Sequence, residues 1–410
     1  MGEIDYLIRK KQSRDTKINR SKKQYIRYCQ TVSKPKKEKM SLELLKPLKN
    51  SFLNEIDENY LQGSLYNKIK IHSESDGLPN HELFDVCLVG VEENRNSFFE
   101  SKKQNLKSIR KELYKLKFGN WKIEVSDLGD LPNGETVDDS YHALYDICKE
   151  LLSKKTILVI MGGSNDLLYP IFKSFDTHNE KVNIVSIDNQ FDLYQDSDLI
   201  SGRTYMNKII FDDSNKLNDF TNIGFQRHLC SIDEINLMEK LFFEYISLGE
   251  ITENNLKAEP LIRNANIVGF DMKSLSIQGN PNGIDPRLSC ILSKYAGQSN
   301  RANFLGLFEL NNNLIANKLY SEIIWYFIDG IDKRVLETDF YDSQTFNKYI
   351  VQTSGRDITF FKSKISEKWW VLIDSSKNNA TNFLPCLEED YKDALNDNIP
   401  IRWLKATKRN

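Results

Sequence analysis

Two runs of mostly β-branched and aliphatic residues, Thr156 to Met161 and Val182 to Ile187, dominate the hydrophobic pattern of the chain. Such runs are typical of parallel strands that helices cover on both faces. Gly162 and Gly163 end the first run, and the stretch 165–176 between the runs predicts a helix. The pattern therefore predicts a β-α-β unit, with ligand chemistry at the carboxyl ends of its strands.

The alternation of strands and helices continues on both sides of this unit. Further strands are predicted at 84–91, 121–131, 207–211, 220–226, 265–272 and 302–310. Further helices are predicted at 97–117, 137–152, 233–248, within 279–297 and at 313–330. Strands that alternate with helices indicate an α/β protein, a doubly wound or similar three-layer fold with a mostly parallel sheet.

Composition changes along the chain and suggests three parts. Residues 1–41 are polar and basic and predict an extension without fixed structure, residues 42–335 predict the α/β domain, and residues 336–410 predict a small C-terminal appendage. The appendage is expected to be a hairpin with an aromatic tail that packs on the main domain. Trp369, Trp370 and Trp403 form either a contact surface or, as is more usual, the small core of the appendage itself.

The near balance of 56 basic and 58 acidic residues hides a local asymmetry. Residues 1–40 hold 13 Lys and Arg against 4 Asp and Glu, and the remainder carries 43 against 54, a net charge of −11. The basic segment predicts an arm for nucleic acid or another anionic partner. The alternative is a solvated extension, or a stretch that precedes a true start at Met40, because no RNA-binding motif accompanies the charge.

The six cysteines form no CxxC pair and show no regular spacing, so we expect buried, reduced thiols rather than disulfides or a zinc site. The charged start carries no signal peptide, and no apolar run of about 18 residues occurs. These features predict a cytoplasmic protein that does not insert into a membrane.

Carboxylates collect at the predicted strand ends: Asp188 and Asp192, then Asp271, then Glu309. Four acids at one rim of a sheet repel one another unless a positive group joins them. A pair of divalent ions such as manganese is the usual solution, and two such ions convert a bridging water into a hydroxide nucleophile.

Several segments together resemble the ureohydrolases, a superfamily that includes arginase, agmatinase and formimidoylglutamase. They are GGSND at 162–166, DNQFD at 188–192, GFDMK at 269–273, and PNGIDPRLSCILSKYAG with FLGLFELNN at 281–297 and 304–312. The resemblance covers roughly residues 84–330 and favours the formimidoylglutamase-like branch. It implies an arginase-type three-layer α/β/α sandwich and hydrolysis of a guanidino or formimino carbon–nitrogen bond on two manganese ions.

The residues depart from the ligand pattern that the resemblance implies. Asn165 stands where the first motif has a metal-binding histidine, Gln190 replaces the imidazole of the second, and Lys273 replaces the second acid of the third. Amides are weak ligands for a transition metal, and an ammonium has no lone pair. None of the five histidines lies in a motif.

Asp188, Asp192 and Asp271 keep ligand positions, and Glu309 matches the acid that the family places near the substrate's guanidinium. We expect Lys273 to lie among the three aspartates and to replace the metal charge with an internal network of ion pairs. The loop residues Arg203 and Tyr205 are further candidates to line the pocket. The predicted vestigial pocket comprises Asn165, Asp166, Asp188, Gln190, Asp192, Asp271, Lys273 and Glu309.

The sequence therefore predicts a catalytically inactive ureohydrolase homologue with no bound metal or other cofactor, which acts by binding a protein or a ligand. One alternative is an active hydrolase of the same superfamily with an atypical metal site. Another is a sensor that still binds an arginine-like or amidine ligand through Glu309 and the neighbouring acids. Self-association is expected from the resemblance alone, because ureohydrolases commonly form homo-oligomers.

Overall fold

The computed structural model describes residues 41–56, 62–97, 104–178, 180–194, 200–373 and 382–409. Contacts within the chain place Leu44–Asn410 in one compact unit, and all that follows concerns this unit. The expected extension at 1–41 lies almost wholly outside the described residues, and the domain boundary at 335 stays a prediction.

Within the described ranges, nine strands form one sheet in the order β1-β3-β2-β4-β9-β8-β5-β6-β7, and every pair of neighbours is parallel. They are β1 Lys70–Ile71, β2 Val86–Val91, β3 Val125–Leu131, β4 Ile157–Met161, β5 Val182–Ile187, β6 Leu217–Phe225, β7 Glu244–Ser247, β8 Ile267–Asp271 and β9 Phe304–Phe308. Strands β2, β4, β9, β8 and β5 are neighbours, so their carboxyl ends meet at the middle of one edge.

Helices cover both faces of this sheet. They span Asn50–Leu53, Leu106–Lys115, Val137–Ser153, Leu168–Lys173, Tyr205–Ile210, Ile232–Lys240, Leu248–Glu253, Glu259–Ile262, Pro286–Gly297, Leu314–Asp332, Glu388–Leu395 and Ile401–Arg409, the last two in the C-terminal part. Leu314–Asp332 packs against Leu106–Lys115 and Pro286–Gly297, whereas Val137–Ser153 packs against Leu168–Lys173. The three-layer α/β/α prediction is confirmed.

The alternating faces of β4 explain why its sequence is apolar throughout. Ile157, Val159 and Met161 belong to the core cluster beneath the helices Leu106–Lys115, Pro286–Gly297 and Leu314–Asp332. Leu158 and Ile160 point to the other helix layer, and all five side chains are buried. A strand between two helix layers needs apolar side chains at every position.

Three predicted elements are wrong. Residues 207–211 lie in and just after helix Tyr205–Ile210 rather than in a strand, because Tyr205, Met206 and Ile209 bury one helical face. The helix predicted at 233–248 ends at Lys240, and Glu244–Ser247 joins the sheet as β7. The helix predicted at 97–117 begins only at Leu106, and residues 98–103 of that prediction lie outside the described residues.

The C-terminal part is larger than the predicted hairpin. An antiparallel sheet in the order β10-β11-β12-β13 is formed by Phe346–Gln352, Asp357–Ser363, Trp369–Leu372 and Phe383–Cys386. The closing segment, expected to be part of the hairpin, is the helix Ile401–Arg409. Trp369 and Trp403 share one buried cluster and Trp370 belongs to a second, so these aromatics form the core of this part.

Arg263 fixes the C-terminal sheet to the α/β domain. Its guanidinium is buried, binds the Glu259 carboxylate through two nitrogens, and donates to the Trp369 carbonyl oxygen at 2.6 Å. The same group lies 4.6 Å from the centre of the Trp370 ring. Cation–π contact and charge-assisted hydrogen bonds therefore act together at this junction.

Five cysteines fall in the described part of the chain, and all five are buried free thiols. This agrees with the expected reduced state, whereas Cys29 lies outside the described residues. No helix among those described is both long and apolar enough to cross a lipid bilayer.

Candidate functional site

Four neighbouring strands, β4, β9, β8 and β5, bring the predicted pocket residues together at one edge of the sheet, the recess. The chain leaves β4 at Asn165 and Asp166, leaves β5 at Asp188 to Asp192, ends β8 at Asp271, and leaves β9 at Glu309. The end of β2 leads to Ser97, whose hydroxyl hydrogen-bonds to Glu309. The expectation that these residues meet at one edge of the sheet therefore holds in the structure.

Glycine is required where the chain leaves β4. Gly163 has a φ of +81°, and a Cβ there would lie 2.0 Å from a Leu167 methyl carbon and 2.9 Å from the Glu93 carbonyl oxygen. The Gln104 side chain holds this turn through both of its polar atoms, accepting from the Gly163 N–H at 2.9 Å and donating to its carbonyl oxygen at 3.1 Å. This clamp fixes the start of the Asn165–Asp166 segment.

Asp188 and Asp192 form a buried carboxyl pair. They are 1% and 5% exposed, and one oxygen of each, Oδ2, has no hydrogen-bond partner within the described part of the chain. Burial raises the pKa of both groups well above its usual range; repulsion from Asp192 adds to this at Asp188, and repulsion from Asp271 adds to it at Asp192.

Asp271 accepts from an amide on each oxygen. Asn165 Nδ2 donates to its Oδ2 at 3.0 Å, and the Lys273 backbone N–H donates to its Oδ1 at 2.7 Å. Burial, then repulsion from Asp188 and Glu309, raises the pKa of Asp271 well above its usual range. The Asn165 amide thus donates a hydrogen bond to Asp271, the carboxylate that the resemblance implies as a metal ligand.

The Lys273 ammonium does not lie where we expected it. Its Nζ forms an ion pair with Glu309 Oε2 and donates to Ser97 Oγ at 3.3 Å. The ammonium also lies close enough to Asp271 for its charge to oppose the rise in the pKa of that group. The ion pair that we expected among the three aspartates thus forms with Glu309 instead, because the flexible lysine stem carries its charge to the next strand end.

Asp166 is a separate buried acid beside this group. Tyr141 donates its hydroxyl hydrogen to Asp166 Oδ2, while Oδ1 has no partner among the described residues. Burial raises the pKa of Asp166 to about 6, although the Tyr141 hydrogen bond opposes the rise. Asn96 donates to the same tyrosine oxygen at 2.9 Å, which holds Tyr141 in place.

The remaining predicted residues line the edge of the recess. Gln190 contacts Asp188 through its backbone N–H at 3.2 Å, and its carbonyl oxygen accepts from Asn222 at 2.6 Å. Tyr205 is buried close enough to Asp192 and Asp188 for their charges to raise its pKa, after burial itself. The charge of Arg203 partly opposes the rise in the pKa of Asp192.

Sequence reasoning missed Ser97, Gln104 and Tyr141. The sequence predicts a helix at Ser97, and the structure has none there. Gln104 and Tyr141 lie in segments that were interpreted only from their apolar pattern, which does not mark polar contacts. A polar residue at a buried position of the helix Val137–Ser153, as Tyr141 is, was the one available clue.

The donor set does not fit a binuclear manganese centre. Asn165 and Gln190 offer amides, Lys273 offers an ammonium, and no imidazole approaches the carboxylates within the described part of the chain. Nor do any three His, Cys, Asp or Glu side chains described here take an arrangement that could hold a metal ion. We therefore assign no reaction step to a metal.

Comparison with known proteins supports the fold. The arginase family model matches residues 84–276. Formiminoglutamase of Trypanosoma cruzi with Mn²⁺ superimposes with a TM-score of 0.55 at 15% identity and covers 66% of this chain and 99% of its own. Formimidoylglutamase of Bacillus subtilis gives 0.55 at 15%, covering 63% and 93%, and agmatine ureohydrolase of Thermoplasma volcanium gives 0.52 at 16%, covering 66% and 97%. No curated protein matches the chain in sequence.

Proposed function

We propose that this chain, whose residues 84–276 match the arginase family model, is a catalytically inactive member of the ureohydrolase superfamily that lacks the binuclear manganese site. It acts by binding a protein or a ligand. The observation that carries this proposal is the ion pair between Lys273 and Glu309.

A lysine in this recess opposes metal binding in two ways. Its ammonium repels a divalent cation, and it has no lone pair to donate. The Asn165 amide acts in the same direction, because its hydrogen points at Asp271 Oδ2 and occupies an oxygen that a metal would need. Two side chains of the protein itself, Lys273 and Asn165, thus bind two carboxylates of the recess, Glu309 and Asp271.

One observation favours the alternative, an active hydrolase of an amidine or guanidine carbon–nitrogen bond with an atypical metal site. Asp188 Oδ2 and Asp192 Oδ2 are buried and have no hydrogen-bond partner among the residues that the structure describes. Buried acceptors of this kind are costly, and a cation would satisfy both. The two proposals therefore differ in whether the natural protein retains a divalent ion.

Elemental mass spectrometry after manganese loading and desalting separates the two. We expect near-zero manganese in the natural protein and in Lys348→Asp, an equal charge change at an exposed residue of β10. We expect bound manganese in the triple variant Asn165→His, Gln190→His, Lys273→Asp, which restores the ligand types of the family. About one or two ions per natural chain would overturn the proposal.

A triple variant that stays folded but gains no metal would also count against it, since the three substitutions would then not be the cause of the loss. Circular dichroism and size-exclusion chromatography of each variant establish folding and the oligomeric state. The same chromatography tests the expected homo-oligomer, while the anionic partner for residues 1–41 and the cytoplasmic location remain predictions.

A further inference from the structure

Glu309 is a carboxylate that the fold holds in a strained and buried position. Its φ is +57°, in the left-handed region that non-glycine residues rarely adopt, and the residue is 7% exposed. Its backbone N–H donates to the Gly163 carbonyl oxygen at 2.9 Å, which ties it to the turn after β4. The backbone therefore fixes this carboxylate independently of its side-chain partners.

Two donors converge on one oxygen of Glu309. Ser97 Oγ donates to Oε2 at 2.6 Å, and Lys273 Nζ reaches the same oxygen. Because Ser97 gives its hydrogen to Glu309, a lone pair of Oγ is free to accept from Nζ, which lies 3.3 Å away. The carboxylate and the hydroxyl thus form a small acceptor pair around a single ammonium.

The ammonium enters this acceptor pair from the solvent side. The Lys273 side chain is 30% exposed, whereas the Glu309 side chain is 6% exposed. The lysine backbone is anchored separately, through its N–H to Asp271 Oδ1. A lysine stem is flexible and ends in a compact charge, so the contact with Glu309 depends on the stem and not on the backbone fold.

We propose that Glu309 and Ser97 form a binding site for primary alkylammonium ions, which Lys273 occupies within the same chain and thereby closes to external cations. The inference rests on the proposed function, since it takes Lys273 to be the resident cation of the recess. A primary ammonium fits because both contacts converge on one point, whereas a guanidinium binds best to both oxygens of a carboxylate.

Chemical rescue tests the site. In Lys273→Ala the ammonium and its stem are removed, so we expect a lower Tm that n-butylammonium raises again in a saturable, millimolar titration. Tetramethylammonium, which has no N–H donor, should give no saturable rise. Metal is excluded by EDTA throughout. The natural protein should not respond, and Lys273→Ala with Glu309→Gln should lose the response.

Two controls make the result specific. Lys273→Met removes the charge but leaves a stem in the recess, so it should be destabilised without rescue. Lys173→Ala removes a lysine of similar exposure, 31%, from an ion pair with Asp212, whose carboxylate keeps the Ser214 backbone N–H as a donor. No saturable response, or an equal response in either control, would overturn the proposal.

If Lys273→Ala does not fold, the natural side chain itself supplies the measurement. Reductive methylation followed by peptide mass spectrometry should label Lys273 more slowly than the exposed Lys348, and at least several-fold faster in Glu309→Gln. Equal rates in the two proteins would refute the closed site. If rescue occurs in EDTA but the natural protein binds manganese, only the proposed function is refuted. If the natural protein binds no manganese and no rescue occurs, only this site is refuted.

Discussion

Replacing Asp166 with asparagine tests how burial sets the protonation of the recess. Burial raises the pKa of Asp166 from its ordinary 3.8 to about 6, a difference of roughly 2 units. At about 1.4 kcal/mol per unit, the folded protein loses about 3 kcal/mol of stability from this group when it ionises. Asparagine keeps an oxygen for the Tyr141 hydroxyl and removes the charge.

The sign follows from the direction of the shift. The folded state binds this proton more tightly than the unfolded state, so the group's contribution to stability is complete below pH 3.8 and is lost as the pH rises through about 6. Asp166→Asn should therefore match the natural protein near pH 4 and exceed it by up to about 3 kcal/mol at pH 7.

Urea unfolding of both proteins between pH 4 and pH 7.5 measures the difference directly. Asp212→Asn is the control: although burial opposes it, hydrogen bonds from Ser214 and Lys173 lower the pKa of Asp212. A lowered pKa adds stability above the unfolded pKa, so this variant should be less stable by a constant amount across the range. A difference for Asp166→Asn that does not change between pH 4 and pH 7 would refute the reasoning.

Two further predictions concern packing, and both are measured by urea unfolding. Arg263→Ala leaves the buried Glu259 without its main partner and should cost about 3 kcal/mol, whereas the exposed Arg356→Ala should cost less than about 1. Gly297→Ala places a Cβ 2.1 Å from a carbonyl oxygen of the neighbouring helix and should cost more than about 2 kcal/mol. Gly249→Ala, which meets nothing closer than 4.0 Å, should be neutral or slightly stabilising. Equal effects within either pair would contradict the assigned contacts.

The sequence predicted the centre of the sheet well because physical constraints there are strict. Strand β4 is buried on both faces and is apolar throughout, and the same pattern in β5 is interrupted only by Asn183 and Ser186, so both runs are easily recognised as strands. The elements near the margin of the sheet were harder to predict from the sequence. Residues 242–248 continue a helical spacing, but Phe242 has a φ of +56° and ends the helix, after which the chain adds an edge strand.

The residues of the recess were predictable, but their partners were not. Motif positions determine which strand end each residue occupies, and the parallel order of β4, β9, β8 and β5 brings those ends together. Motif position and strand order do not determine the direction in which a long side chain points. Lys273 has a long stem that reaches either the aspartates or Glu309, and the choice depends on Ser97, which the sequence assigned to a helix.

The ion pair of Lys273 with Glu309 also changes how the proposed loss of the metal site is explained. We assumed that three aspartates without a metal need a replacement cation, yet the ammonium neutralises Glu309 instead. Burial raises the pKa of Asp188, Asp192 and Asp271, so each takes up a proton more readily than an exposed aspartate does. A raised pKa therefore lessens the need for a metal ion or an added cation at these three groups, and burial produces it without any additional side chain.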